Sequence, residues 1–162
     1  MKKLPIGIQT LSTIIEEGYA YVDKTKIALD LIDRGRYYFL SRPRRFGKSL
    51  FLNTLQEIFE GNETLFKGLY IDKKWNFNKI NPVIHISFGA GGTRSVKDLH
   101  RKMHRILEYS EEKLGIQIKG DLLPSEKLSK LIRSAHKKTR QKVVILIDEY
   151  DKPILDLSLI HI

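Results

Sequence analysis

No cysteine occurs in the 162 residues, so the chain can form neither a disulfide framework nor a thiolate zinc site, and a reducing compartment, by default the cytoplasm, is the expectation. Long apolar runs are missing as well. The longest purely aliphatic stretch, Val143 to Ile147, falls far short of the roughly 18 residues a spanning helix needs, and the polar N-terminus lacks a signal-peptide core. No membrane partner is expected. Acidic residues are scarce relative to basic ones: 19 Asp and Glu face 29 Lys and Arg, a formal charge of +10. That excess asks for an anionic partner without saying whether it is a nucleotide or a nucleic acid. Core-forming residues are not scarce. A hydrophobic content of 41% with 9% aromatics excludes a disordered basic tail and any collagen-like or low-complexity chain. The length suits one domain or part of a larger one.

Periodicity places the elements. Ile27, Leu31 and Ile32 recur at helical spacing between Asp23 and Asp33, and Gly35 ends the pattern. Tyr37-Tyr38-Phe39-Leu40 is apolar and β-prone and predicts a buried strand. Leu50, Leu52, Leu55, Ile58 and Phe59 then follow a 3.6-residue period up to a glycine stop at Gly61. The polar stretch from Gly61 to Asn81 reads as irregular, anchored by Phe66, Trp75 and Phe77. After Pro82, the alternating Val83 to Phe88 predicts a second strand, closed by the loop Gly89-Ala90-Gly91-Gly92. Ser95 and Asp98 have the spacing of a capping box, followed by a helix of about five turns with Val96, Leu99, Met103, Ile106, Leu107 and Leu114 on one face. A further helix follows Pro124, with Ser125 as its cap and Leu128, Leu131, Ile132 and Ala135 as its stripe. Val143 to Ile147 predicts a parallel strand buried on both faces. Strands alternating with helices make this an α/β chain with a parallel sheet flanked by helices.

One loop carries chemistry. Ser41-Arg42-Pro43-Arg44-Arg45-Phe46-Gly47-Lys48-Ser49 lies between an expected strand and an expected helix, and its Gly-Lys-Ser matches the second half of the P-loop pattern G-x-x-x-x-G-K-[ST]. Arg42 stands where the first glycine belongs. Pro43 offers no N–H, so a phosphate cradle has to rest on the amides of Arg44, Arg45, Phe46, Gly47, Lys48, Ser49 and Leu50. Amides at a helix N-terminus attract phosphate, Lys48 can reach terminal phosphates, and the Ser49 hydroxyl can take Mg²⁺. At the far end, Asp148 and Glu149 sit at the carboxyl end of an apolar strand, where open α/β sheets place their ligands. An aspartate there can serve a magnesium shell, and the adjacent glutamate can act on a water at the γ-phosphate.

Tyr21-Val-Asp-Lys-Thr25, Arg42-Pro-Arg-Arg-Phe-Gly-Lys-Ser-Leu50 and Leu146-Ile-Asp-Glu-Tyr-Asp-Lys-Pro153 together resemble the N-terminal part of the AAA-ATPase-like family of bacteria and archaea. The resemblance spans residues 4 to 156 and includes the unusual Arg-Pro-Arg-Arg-Phe opening of the loop. It implies a P-loop NTPase-type sheet with Lys48 and Ser49 as Walker A residues and Asp148 and Glu149 as the Walker B pair. It further implies ATP with Mg²⁺ as ligands, hydrolysis in a longer protein, and often a C-terminal domain resembling PD-(D/E)XK nucleases. The tail 157–162 matches nothing expected of the family. On this resemblance the domain is residues 1–156, its sheet is incomplete on the C-terminal side, and this stretch alone is expected to hydrolyse ATP weakly or not at all.

A second class stays open: a basic nucleic-acid-binding module whose arginines contact backbone phosphates without hydrolysis. His100 and His104 lie four apart on a helix, but the glutamate of H-E-x-x-H is absent and solvated histidines are the expectation. Lys137, Lys138, Arg140 and Lys142 read as a solvated helix end whose cations suit the helix dipole. Asp23 and Lys24 fit either a position near the base or ribose, by family analogy, or a salt-bridged helix start.

Overall fold

The computed structural model describes residues 1–43 and 45–158, so Arg44 and residues 159–162 of the tail lie outside the described residues. The chain divides into two units, Met1–Ile80 and Asn81–Ile162.

In the first unit three helices, α1 (Leu11–Glu16), α2 (Thr25–Arg34) and α3 (Lys48–Phe59), surround a core of Leu11, Ala28, Ile58, Leu65, Phe66, Ile71 and Phe77. The stretch after α3 is irregular, as its polarity predicts, apart from a short 3₁₀ turn at Glu63–Phe66. Its aromatic residues do the anchoring: Phe66 and Phe77 stack at 5.3 Å, and Trp75 meets Phe59 edge to face at 6.0 Å. Gly61 follows α3 at φ +80°, the stop its position predicts.

Tyr37 to Leu40 does not form the expected strand. The segment is irregular, with Tyr37 93% and Phe39 71% exposed. β propensity is a preference for a pleated, half-buried surface, and a strand exists only where a neighbour supplies the ladder. Among the described residues the single ladder pairs two later segments, so the sheet holds two strands rather than three.

Those two strands organise the second unit. β1 (Val83–Ser87) and β2 (Val144–Asp148) run parallel, in register from Val83 opposite Val144 to Ser87 opposite Asp148. A parallel pair needs a crossover, and α4 (Val96–Leu114) and α5 (Pro124–Thr139) supply it. Ile84 and Ile86 of β1 pack with Leu107 of α4 and Leu131 of α5. The cap of α4 is as predicted, with Ser95 Oγ accepting from the Asp98 N–H at 3.1 Å. For α5 the expectation fails: the helix starts at Pro124, one residue before Ser125, and Glu126 reaches back to accept from the Leu123 N–H at 2.9 Å. At its other end Lys138 is not merely solvated. Its ammonium donates to the Leu114 and Gly115 carbonyls at 2.8 and 2.9 Å, closing the C-terminus of α4.

β2 is not buried on both faces. Partners in a parallel ladder share a face, so Ile145 and Ile147 stand beside Ile84 and Ile86. But α4 packs over β1, which leaves those two side chains 41% and 48% exposed. A short helix, α6 (Lys152–Ser158), follows β2. The α/β class therefore stands, as helices around a two-stranded parallel sheet.

Candidate functional site

The phosphate-loop residues belong to the first unit. Arg45 and Gly47 both adopt left-handed backbone, at φ +67° and +73°, and Gly47 is the residue from which α3 starts. A left-handed residue is what turns the incoming chain into the helix so that the first-turn amides face outward. Lys48 and Ser49 form that first turn, Leu50 follows, and no side chain caps this end. The earliest N–H groups of a helix have no intrahelical acceptor, so this terminus is a cluster of donors carrying partial positive charge. Arg45 and Phe46 are exposed beside it.

The Lys48 ammonium is turned onto its own loop, donating to the Arg42 carbonyl at 2.9 Å and the Pro43 carbonyl at 3.0 Å. Pro43, which has no N–H to give a phosphate, gives its carbonyl to the lysine instead. Across from the loop, the Lys24 ammonium lies 3.9 Å from the point a Cβ on Gly47 would occupy.

The acidic pair belongs to the second unit. Asp148, the last residue of β2, is buried, and its Oδ1 accepts from the Glu149 N–H at 3.0 Å. Glu149 is exposed and left-handed, at φ +51°. Its backbone turns the chain out of the sheet, and its carbonyl accepts from the Lys152 N–H at 3.1 Å. Ser49 brings a hydroxyl to a helix start and Asp148 a buried carboxylate to a strand end, each an oxygen group of the kind Mg²⁺ takes. Among the described residues there is no cluster of three or more His, Cys, Asp or Glu that could hold a metal unaided. Nor is any helix among them long and apolar enough to cross a membrane.

A family model described as "Predicted AAA-ATPase" matches residues 5–160. The chain belongs to the AAA-ATPase-like family. This AAA-ATPase-like chain is also 53% identical over 156 residues to a protein of Azotobacter chroococcum mcd 1 described as "Uncharacterized protein in vnfD 5'region". The match covers 96% of this chain and 30% of that protein, so the chain spans under a third of the curated relative's length. No solved structure matches. The description of that family names an ATPase.

The AAA-ATPase-like sequence concealed the surroundings of Glu149. A Cβ on Gly89, in the loop after β1, would stand 3.1 Å from the Glu149 carboxylate. The Gly-Ala-Gly-Gly run marks that loop but not its neighbour 60 residues on. Lys102 of α4 donates to the Phe88 carbonyl at 2.6 Å. Its pKa is lowered by burial and by the Lys152 ammonium, against the opposing pull of Asp156 and Glu149. Lys152 in turn pairs with Asp156 at 3.2 Å, and Asp156 accepts from the Thr93 N–H at 2.9 Å. No sequence signal ties Lys102 to β2, because a long-range charge network has no fixed spacing.

Proposed function

We propose that this chain is the nucleotide-binding part of an ATPase. In this reading the amides of residues 44 to 50 and the Lys48 ammonium hold the phosphate tail of ATP, Arg44 and Arg45 add positive charge, and Ser49 and Asp148 provide oxygens for Mg²⁺. Bound magnesium supplies charge neutralisation at the phosphates. Glu149 accepts a proton from the attacking water in the longer protein. The observation that carries the reading is the start of α3, where a left-handed Gly47 leads directly into Lys48 and Ser49 at an uncapped N-terminus. The family match supports the nucleotide. Hydrolysis, coupling to a nuclease-like domain and a cytoplasmic location extend the same proposal to the whole protein.

The experiment is a titration with a fluorescent ATP analogue with and without Mg²⁺, on the unaltered chain and on Lys48→Ala. The expected result is Mg²⁺-dependent binding that Lys48→Ala weakens at least tenfold with no change in the circular dichroism spectrum. Equal binding by the two proteins rejects the assignment. The formal charge of +10 and the exposed Arg42 and Arg45 favour one competing reading, nucleic-acid binding. Under that reading the chain would hold an oligonucleotide with an affinity that falls steeply between 50 and 200 mM salt, about 10³-fold or more, and would be indifferent to ATP.

A further inference from the structure

The segment Tyr21-Val-Asp-Lys-Thr25 is the one motif to which the proposed nucleotide chemistry assigns no role, and the structure accounts for most of its residues. Tyr21 packs against the core of the first unit. Asp23 Oδ1 accepts from the Thr25 N–H at 2.8 Å and from the Thr25 hydroxyl at 2.7 Å, while Asp23 Oδ2 accepts from the Tyr70 N–H at 2.6 Å. Thr25 Oγ1 accepts from the Ile71 N–H at 3.1 Å, and both Thr25 and Ile71 are fully buried. Two of these hydrogen bonds thus clip the start of α2 to residues 70 and 71, and the other two close the Asp23–Thr25 turn. Asp23 is used in a turn and one long-range bond, not in a salt bridge.

Lys24 lies between the two clipped residues, and its own side chain takes no part in the clip. Its backbone is fixed on both sides, and its carbonyl accepts from the Ala28 N–H at 3.2 Å. The side chain extends toward the phosphate loop, where its ammonium comes 3.9 Å from the Cβ position of Gly47. Among the described residues it has no ion-pair partner. An exposed lysine without a carboxylate ordinarily roams in solvent. This one stands at the start of α3, where the helix dipole is itself positive, so it adds to the repulsion there unless an anion arrives. Lys48, meanwhile, is already satisfied by two carbonyls.

We infer that Lys24 is a second phosphate-binding lysine, presented to the loop by the Asp23–Thr25 clip, and that it meets the polyphosphate tail of the nucleotide rather than its base or ribose. The inference rests on the nucleotide reading above. It gives Asp23 and Thr25 a positioning role. It also explains how a loop that lacks the first P-loop glycine still collects enough charge: a cation comes from a different helix.

The test uses inorganic tripolyphosphate, which carries the phosphates without base or sugar, as a competitor for the fluorescent ATP analogue on the full chain. Lys24→Met is expected to weaken both ATP and tripolyphosphate about tenfold, the usual size of a lost charge-assisted bond, with the melting temperature unchanged. Lys24→Arg should recover part of the loss. Asp23→Asn, which loosens the clip and leaves the ammonium in place, should give an intermediate loss. If Lys24→Met weakens ATP but leaves tripolyphosphate untouched, Lys24 serves the base or ribose and the inference is overturned. Should Lys24→Met match the unaltered chain while Lys48→Ala loses binding, the inference falls and the nucleotide reading stands. If the unaltered chain takes up neither ligand, or an oligonucleotide displaces the probe as well as tripolyphosphate does, both fall.

Discussion

Gly89 and Glu149 touch because one of them has no side chain: a Cβ at Gly89 would come within 3.1 to 3.3 Å of the Glu149 carboxylate group. Contacts that short force a neighbour to yield, and here the neighbour is the far end of an exposed, flexible side chain. Gly89→Ala should therefore cost less than about 1 kcal/mol of stability. In the full-length protein it should nonetheless lower ATP turnover at least tenfold while leaving nucleotide affinity alone, because Glu149 is displaced. Chemical denaturation and steady-state turnover together check this; unchanged turnover would show that the carboxylate's place against the loop does not matter.

Lys127 and Glu111 form the most buried ion pair among the described residues, at 3.0 Å with each side chain about one-tenth exposed. Glu111 also accepts from the Ile118 N–H at 3.2 Å, and Glu108 adds a more exposed second carboxylate 3.6 Å from the ammonium. Removing one partner strands the other in a poorly solvated place. Lys127→Met should destabilise the chain by about 3 kcal/mol. Lys127→Met combined with Glu111→Gln should cost less than the single change. Urea unfolding midpoints for the two proteins decide it, and an additive loss would mean that the two groups do not depend on each other.

Phe66 is fully buried and stacked on Phe77. Phe66→Ala should cost about 3–5 kcal/mol. Hydrogen exchange should report it first in α3, whose Ile58 shares that core. Unaltered protection of the α3 amides would contradict the packing described.

Burial pushes the Asp23 carboxyl up, but the bonds from the Tyr70 N–H, the Thr25 N–H and the Thr25 hydroxyl outweigh it. The net pKa lies below the ordinary 3.8. A depressed carboxyl stabilises the fold fully above its unfolded value, and that contribution drains away as pH falls through the folded one. The unaltered chain should therefore lose more stability between pH 6 and pH 3 than Asp23→Asn does. Parallel pH curves for the two proteins would remove Asp23 from the acid response.

Local rules read well from the sequence wherever a local cause decides the outcome. The Ser95 cap, the stripe of α4, the glycine after α3 and the alternation in Val83–Ser87 each depend on neighbours within a turn or a strand. The Ser125 cap slipped locally, by one residue, because Pro124 takes the first helical position, but the larger misreadings depend on distant partners. Tyr37 to Leu40 has every propensity for a strand but no ladder, and Ile145 and Ile147 look like core but lie one strand away from the helix that would cover them. The positions of Gly47, Lys48 and Ser49 at the start of α3, and of Asp148 and Glu149 at the end of β2, were legible because motif spacing marks them. Lys24 over Gly47 and Gly89 beneath Glu149 were not, since each is brought to its neighbour only by tertiary folding.

The left-handed backbone of Glu149, at φ +51°, sets its chemistry against its comfort. A glutamate there gives up about 1 kcal/mol that a glycine would not. Screening variants for heat resistance alone would therefore reward Glu149→Gly, and the hardiest protein in such a collection would be the one stripped of its proposed base. An engineer seeking a sturdier version should leave this position fixed and look for stability in the cores of the two units.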